Sequence, residues 1–337
     1  MIHIKIYSKL KENIKIIINF IIIILVLMFL FFYRLPYYID APGGITNLNK
    51  RFKIKDSISS SGSYNLSYVS EYNGTPILLL YALINPNWDI LKEKDITNGI
   101  ISMDDLYKID KLNLNTSADE AVILAYKKAG KNIIIKSKKP VVMYVMEEGE
   151  NNLQIGDIIL SIDEKKVEEQ EDLSHILNEY EIGDKVVIKV ENNSKNYDRY
   201  AYIVEKENRK VLGIYCTTNY EYDTFPEIKF TISDNEYGSS GGLMTTLAIY
   251  DSLIEKDLTK GLKIVGTGTI DIEGNVGEIG GVKYKLKGAV NNKADIFFVP
   301  NGKNYEDAIK IKKEKGYNIK IVGVSTLDEA IEYLENL

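Results

Sequence analysis

Cysteine occurs once in the 337-residue chain, at Cys216. A single thiol forms no intrachain disulfide and builds no cysteine-based zinc cluster. An exported location stays open, because a chain of this length can bury a core without covalent staples. Histidine is almost as scarce, with only His3 and His175, and that scarcity limits the available nucleophilic chemistry. Positive charge is not in excess either. The net charge is −6 and no basic stripe is interleaved with aromatics, so no nucleic-acid partner is expected. No GxxxxGKS or GxxxxGKT phosphate loop occurs. The GTGT at Gly266 to Thr269 has the look of a phosphate turn but lies inside a strand-like run. Neither a metal nor a cofactor is expected.

The chain is 45% hydrophobic and 27% charged, the balance of globular protein, and long enough for two or three domains. Ile16 to Phe32 reads IIINFIIIILVLMFLFF, broken only by Asn19. That is near the lower limit of the ~17–25 residues a membrane-spanning helix needs. It exceeds the ~7–15 residue core of a signal peptide, and no small-residue cleavage site follows it. Lys5, Lys9, Lys11 and Lys15 precede the run, while Arg34 stands alone after it until Lys50. The positive-inside rule then places the N-terminus in the cytoplasm and everything after Leu35 outside. Tyr33, Tyr37 and Tyr38 suit the headgroup layer. The expected location is the cell membrane, single-pass, with the bulk of the chain extracellular.

Four segments follow: residues 1–35 with the anchor, 36–131 as a scaffold of uncertain fold, then 132–208 and 209–337. In the scaffold, SYNLSYVSEY and TPILLLYALI read as strands, and Ser117 to Gly130 as a capped helix ending at glycine. In the third segment, strand, Gly-Asp turn, strand, helix, Gly-Asp and strand follow one another. The carrying residues are Leu153, Gly156, Asp157, Ile158 and Ile159, then Gly183 and Asp184. This order resembles a PDZ domain of the bacterial protease-associated kind, a module that adds an extended peptide to a sheet edge beside a helix. The resemblance implies a groove between Val141–Met146 and the helix near Leu173–Tyr180, lined by Val142, Tyr144, Leu173 and Leu177.

The last segment alternates strands and helices. EIKFTIS reads as a strand, Leu243, Leu247 and Ile254 make one stripe of a helix, and LKIVGTGTIDI reads as a strand-like run. Thr326 and Glu329 form a capping box for the final helix. Between the first strand and helix lies GSSGGLM, Gly238 to Met244. A serine there sits beside unpaired N–H groups at the positive end of a helix. It needs a base. His3 belongs to the cytoplasmic side and His175 to the other domain, so a Ser-His-Asp triad cannot form within this segment. A lysine desolvated in an apolar pocket remains.

GSSGG, then GTGTIDIEGNVGEIGG, then VKYK strongly resembles the proteolytic domain of Lon proteases, a Ser-Lys dyad family. With the anchor and the PDZ-like segment, the whole chain resembles the membrane-anchored PDZ-containing Lon-like proteases of bacteria. The resemblance implies Ser240 as nucleophile, with Ser239 and Gly241 standing where the family motif has proline and alanine. It implies Lys285 rather than Lys283 as the base and Thr267 as its hydrogen-bond partner. Independently of the resemblance, Gly241 and Gly242 let a substrate backbone approach closely beside N–H groups that can hold an oxyanion. Tyr237 stands where ATP-dependent members have an acidic residue.

The expected fold is α+β multidomain: a transmembrane helix, a PDZ-like domain and a C-terminal α/β Lon-type proteolytic domain. The expected activity is a serine endopeptidase acting on unfolded or extended polypeptides, without ATP of its own. A homo-oligomeric ring is implied by the family. The competing reading is an inactive PDZ adaptor, a pseudoprotease that binds peptides at the membrane.

Overall fold

A computed structural model describes residues 2–55, 57, 60–146 and 149–337, with side chains from residue 13 onward. The side chains of His3, Lys5, Lys9 and Lys11 lie outside the described residues. The chain divides into two units, residues 1–42 with 69–101, and residues 43–68 with 102–337.

The first unit opens with helix α1 (Ile2–Phe32). Its Asn13–Phe32 stretch is the one described helix long and apolar enough to cross a membrane, and no part of that stretch is buried. Tyr37 to Asp40 then pairs antiparallel with Asp89 to Lys92. Between them stands helix α2 (Pro76–Ile84), where the sequence suggested a strand. The physical reason is local. The Thr75 hydroxyl accepts from the Leu78 N–H, Pro76 occupies the first turn with φ already helical, and the run is rich in leucine rather than β-branched residues. The short α3 (Glu93–Thr97) completes the unit.

In the second unit, α4 (Met103–Lys128) begins fourteen residues before the expected start at Ser117. Ser102 is the true cap: its hydroxyl accepts from the Asp105 N–H at 3.1 Å, and Ser117 lies buried along the helix. The helix ends as expected at glycine. Gly130 adopts φ +65°, its N–H reaches the Lys127 carbonyl, and the Lys131 N–H reaches that of Tyr126, a Schellman closure.

From there the chain runs directly into the strand Asn132–Val145, which pairs along its length with Ile214–Phe225. The sheet continues through Ile158–Ile162, Lys185–Asn192 and Lys195–Tyr202, with α5 (Gln170–Leu177) beside it. Along Lys185–Asn192, alternate residues Val186, Ile188 and Val190 are buried with Val142, Ile159 and Ile162. The Gly-Asp turn is tied by Asp157, fully buried, which accepts from Asn192 at 2.7 Å, Arg199 at 3.1 Å and the Gln154 N–H at 2.8 Å.

The remaining core is layered around a parallel sheet. Lys263–Gly266 lies between Ser63–Leu66 and Ile296–Phe298, and Lys320–Val324 follows outside the latter. Helices α6 (Gly242–Leu253), α7 (Val282–Asn291), α8 (Lys303–Lys315) and α9 (Leu327–Glu335) pack around it. One continuous cluster joins Leu243, Leu247 and Ile264 to Phe52, Tyr64, Ala121, Val122 and Ala125. The supposed scaffold segment therefore supplies a strand, a helix and part of the core of the C-terminal domain.

Candidate active site

The site begins with a break in a strand. LKIVGTGTIDI does not run straight: Lys263–Gly266 and Thr269–Ile270 are separate strands, and Thr267 and Gly268 turn across the start of α6. The Gly268 N–H donates to the Ser240 carbonyl at 2.8 Å, and the Leu243 N–H donates to the Gly268 carbonyl at 3.1 Å. The two turns hold each other. On the other side α4 fixes the loop before α6. Ser117 donates its hydroxyl to the Ser239 carbonyl at 3.1 Å, and the Gly238 N–H donates to the Asp110 carbonyl at 3.0 Å. Lys111 binds the Ser233 carbonyl at 2.9 Å.

Gly242 has no room for a side chain. A Cβ there would stand 2.7 Å from the Ser117 hydroxyl and 2.8 Å from Ile270 Cγ2. Its N–H donates to the Ser239 carbonyl at 3.2 Å. The sequence suggested an oxyanion or substrate-backbone position for Gly242. The geometry makes it instead a point of close approach between α6, α4 and the Thr269–Ile270 strand. Gly241 caps α6, and Ser240, half-buried, precedes it in the turn.

Lys285 comes from α7, which starts at Gly281 in the left-handed region, φ +72°. The Lys285 N–H closes the first turn onto the Gly281 carbonyl at 3.1 Å, and its own carbonyl accepts from Ser67 at 2.6 Å. Its side chain points inward and is 4% exposed, whereas Lys283, two residues earlier, faces solvent over the Tyr284 ring. Burial lowers the Lys285 amine to about 8 from an ordinary 10.5. The amine donates to Thr267 Oγ1 at 3.1 Å, and Thr267, fully buried, donates the same hydroxyl to the Ser240 carbonyl at 3.1 Å. The Thr267 N–H is held by the Phe298 carbonyl at 3.0 Å. One hydroxyl thus joins the α7 lysine to the α6 serine turn.

The groove expected at Val142 and Tyr144 is closed. That strand carries neighbours on both edges. Cys216 and Tyr215 face Val142 and Tyr144 on one side. On the other, Val142 exchanges backbone bonds with Asp157 and Gly156, at 2.9 and 2.8 Å. Val142 is fully buried and Leu177 nearly so, as core, with Leu173 packed partly against them. The outer strand at that end of the sheet is Ile214–Phe225, and Tyr215 on it is 51% exposed. Sequence reading passed over this strand because it lies beyond the expected domain limit. It also missed Ser67, Asp110 and Ser117. The Ser102-x-x-Asp105 cap would have revealed the helix carrying the last two.

Residues 130–198 match the model of the PDZ domain, and residues 233–335 match that of the Lon protease (S16) C-terminal proteolytic domain. Among curated proteins, the chain is 34% identical over 97 residues to Lon protease of Campylobacter jejuni, covering 28% of this chain and 12% of that one. It is 29% identical over 119 residues to Lon protease 2 of Borreliella burgdorferi, covering 34% and 15%. Over 57 residues it is 35% identical to Protease Do-like 8, chloroplastic, of Arabidopsis thaliana, covering 17% and 13%. The chain thus spans no more than 15% of the length of these relatives. A solved PDZ domain of an SdrC-like protein from Listeria monocytogenes is 20% identical, covering 25% of this chain and 92% of that one, with a TM-score of 0.23. This chain therefore joins a PDZ domain to a C-terminal proteolytic domain of the Lon type, the domain of a serine-type peptidase.

Proposed function

We propose that the chain is a membrane-anchored serine endopeptidase in which Ser240 is the nucleophile and Lys285 the general base. The observation that carries this reading is the buried Lys285 amine, lowered to about 8 and linked through Thr267 to the Ser240 turn. A lysine near neutrality is neutral often enough to accept a proton and still acidic enough to return it. Lys285 takes the Ser240 hydroxyl proton as the oxygen attacks a peptide carbonyl. Backbone N–H groups of Ser240 and Gly241 face the developing oxyanion. The resulting ammonium protonates the leaving amine, and water then hydrolyses the acyl-enzyme with Lys285 again as base. Thr267 keeps the amine aimed at the turn throughout. Substrate is extended or unfolded polypeptide, captured by strand addition along Ile214–Phe225 and delivered outside the membrane that α1 spans. No nucleotide enters the cycle.

The test uses the full chain in detergent with an unfolded protein and no nucleotide. Ser240→Ala and Lys285→Met are each expected to lower kcat about 10³-fold or more, as loss of one member of a nucleophile–base pair does. Cleavage by wild type that survives both substitutions would place the chemistry elsewhere. Wild-type chain that binds peptides yet cuts none would leave the adaptor reading.

A further inference from the structure

Helix α2 is made for a solvent other than water. Its sequence, PILLLYALI, has no charged side chain and no polar group but the Tyr81 hydroxyl. Ala82 is its one buried residue, while Leu80, Leu83 and Ile84 are 56%, 72% and 79% exposed. A helix at a water-facing surface carries polar residues on its outer side, and an apolar patch left open marks an interaction site. Nine residues rise only about 14 Å, too short to cross a hydrocarbon core of about 30 Å.

Its position within the first unit says what the partner is. Gly74, just before the Thr75 cap, donates its N–H to the Tyr37 carbonyl at 2.7 Å and accepts the Leu35 N–H at 2.9 Å. Helix α2 therefore starts where the chain leaves α1. A groove of about 520 Å³, lined by Phe31 of α1 and by Ile77, Leu80 and Ile84, lies between the two helices. Trp88, the only tryptophan in the chain, stacks on Tyr72 at 5.6 Å and meets Tyr81 edge-on at 4.7 Å. At the end of α1, Tyr33 stacks on Phe29 at 5.0 Å. Tryptophan and tyrosine gather where acyl chains give way to headgroups, the layer in which apolar surface helices lie.

We propose that α2 lies in the leaflet at the C-terminal end of α1, with its leucines and Ile84 among acyl chains and the Trp88–Tyr72–Tyr81 cluster among headgroups. The occupant is lipid, because the apolar surface of α2 continues that of α1, which acyl chains already surround. The chain then grips the membrane through two elements, a span and a short interfacial helix. This rests on the reading of α1 as a membrane span.

The test uses the full chain in phosphatidylcholine–phosphatidylglycerol vesicles, with Trp88 as the reporter. Lipid brominated near the carbonyl end of its acyl chain is expected to remove roughly half of the Trp88 emission, given an interfacial depth of about 5–10 Å. Lipid brominated near the terminal methyl should remove less, and aqueous iodide little. Leu83→Glu with Ile84→Glu, at exposed positions, should abolish the bromolipid effect and open Trp88 to iodide while α1 holds the chain through an alkaline carbonate wash. A wild-type chain that withstands the wash but shows Trp88 open to iodide and blind to bromine overturns the proposal and leaves the anchor standing. Emission shielded from both quenchers overturns it in favour of a protein cover such as a second copy. A chain that washes off the vesicles overturns the anchor and the proposal together.

Discussion

Thr267→Val keeps the shape of a fully buried side chain and removes only its hydroxyl. Two hydrogen bonds go with it, the one from the Lys285 amine and the one to the Ser240 carbonyl. The carbonyl retains the Gly268 N–H at 2.8 Å, so the loss falls mainly on the lysine. Leaving a buried donor unpaired costs about 1–3 kcal/mol. Spent on misplacing the base in the transition state, that is roughly a 5- to 150-fold fall in kcat/KM. The direction of the pH shift is also fixed. An ammonium gives a stronger hydrogen bond to a hydroxyl than a neutral amine does, so removing the acceptor destabilises the charged form more. In wild type, kcat/KM should rise with pH and level off near the Lys285 value of about 8. In the variant the rise should occur at lower pH while the plateau drops. The same lysine lowers stability at neutral pH. Its folded value lies below the unfolded 10.5, so the unfolded chain binds more protons between the two, and its contribution to stability improves as pH climbs through that window. The assay is cleavage of a quenched fluorogenic polypeptide across pH 6–10, at about half-unit steps, with urea unfolding alongside. A plateau unchanged within twofold, or a rise moved to higher pH, would refute the positioning argument.

Gly242→Ala should lower stability by about 1–3 kcal/mol, since the new methyl meets Ser117 and Ile270 inside van der Waals contact; urea unfolding at constant m checks it, and an unchanged midpoint would contradict the close approach. Asp157→Ala should cost about 3–5 kcal/mol by stranding the largely buried Arg199 guanidinium and the Asn192 amide. That loss should appear as earlier amide exchange across Ile158–Ile162 and Lys185–Asn192, and uniform protection in the variant would show the turn does not need it.

How much was legible in the chain differed by element. The C-terminal helices could be placed from glycine, capping and apolar period alone, because there the sequence obeys one rule at a time. Thr326 and Glu329 behave so, the hydroxyl accepting from the Glu329 N–H and the carboxylate from the Ser325 N–H. Lys285 was separable from Lys283 only through a motif, since both lie near the start of one helix and burial is a tertiary fact. TPILLLYALI misled because an apolar run of strand length carries no periodicity to decide between helix and strand. Its Thr-Pro start was the better signal. That Asn132–Val145 is an inner strand was not legible, because its pairing with Ile214–Phe225 spans some eighty residues of sequence and no local pattern announces it.

The core around Ser240 and Lys285 is discontinuous along the chain. Ser63–Leu66 pairs with the central Lys263–Gly266 strand, and α4 holds the loop carrying Ser239, yet both precede the PDZ segment. The PDZ domain is thus an insertion between two parts of one hydrophobic core, entered from the end of α4 and left along Ile214–Phe225. Either half alone would leave apolar core surface of the other open to water. During synthesis, a chain that has emerged only as far as the PDZ domain holds a helix whose buried face at Ala121, Val122 and Ala125 still waits for α6.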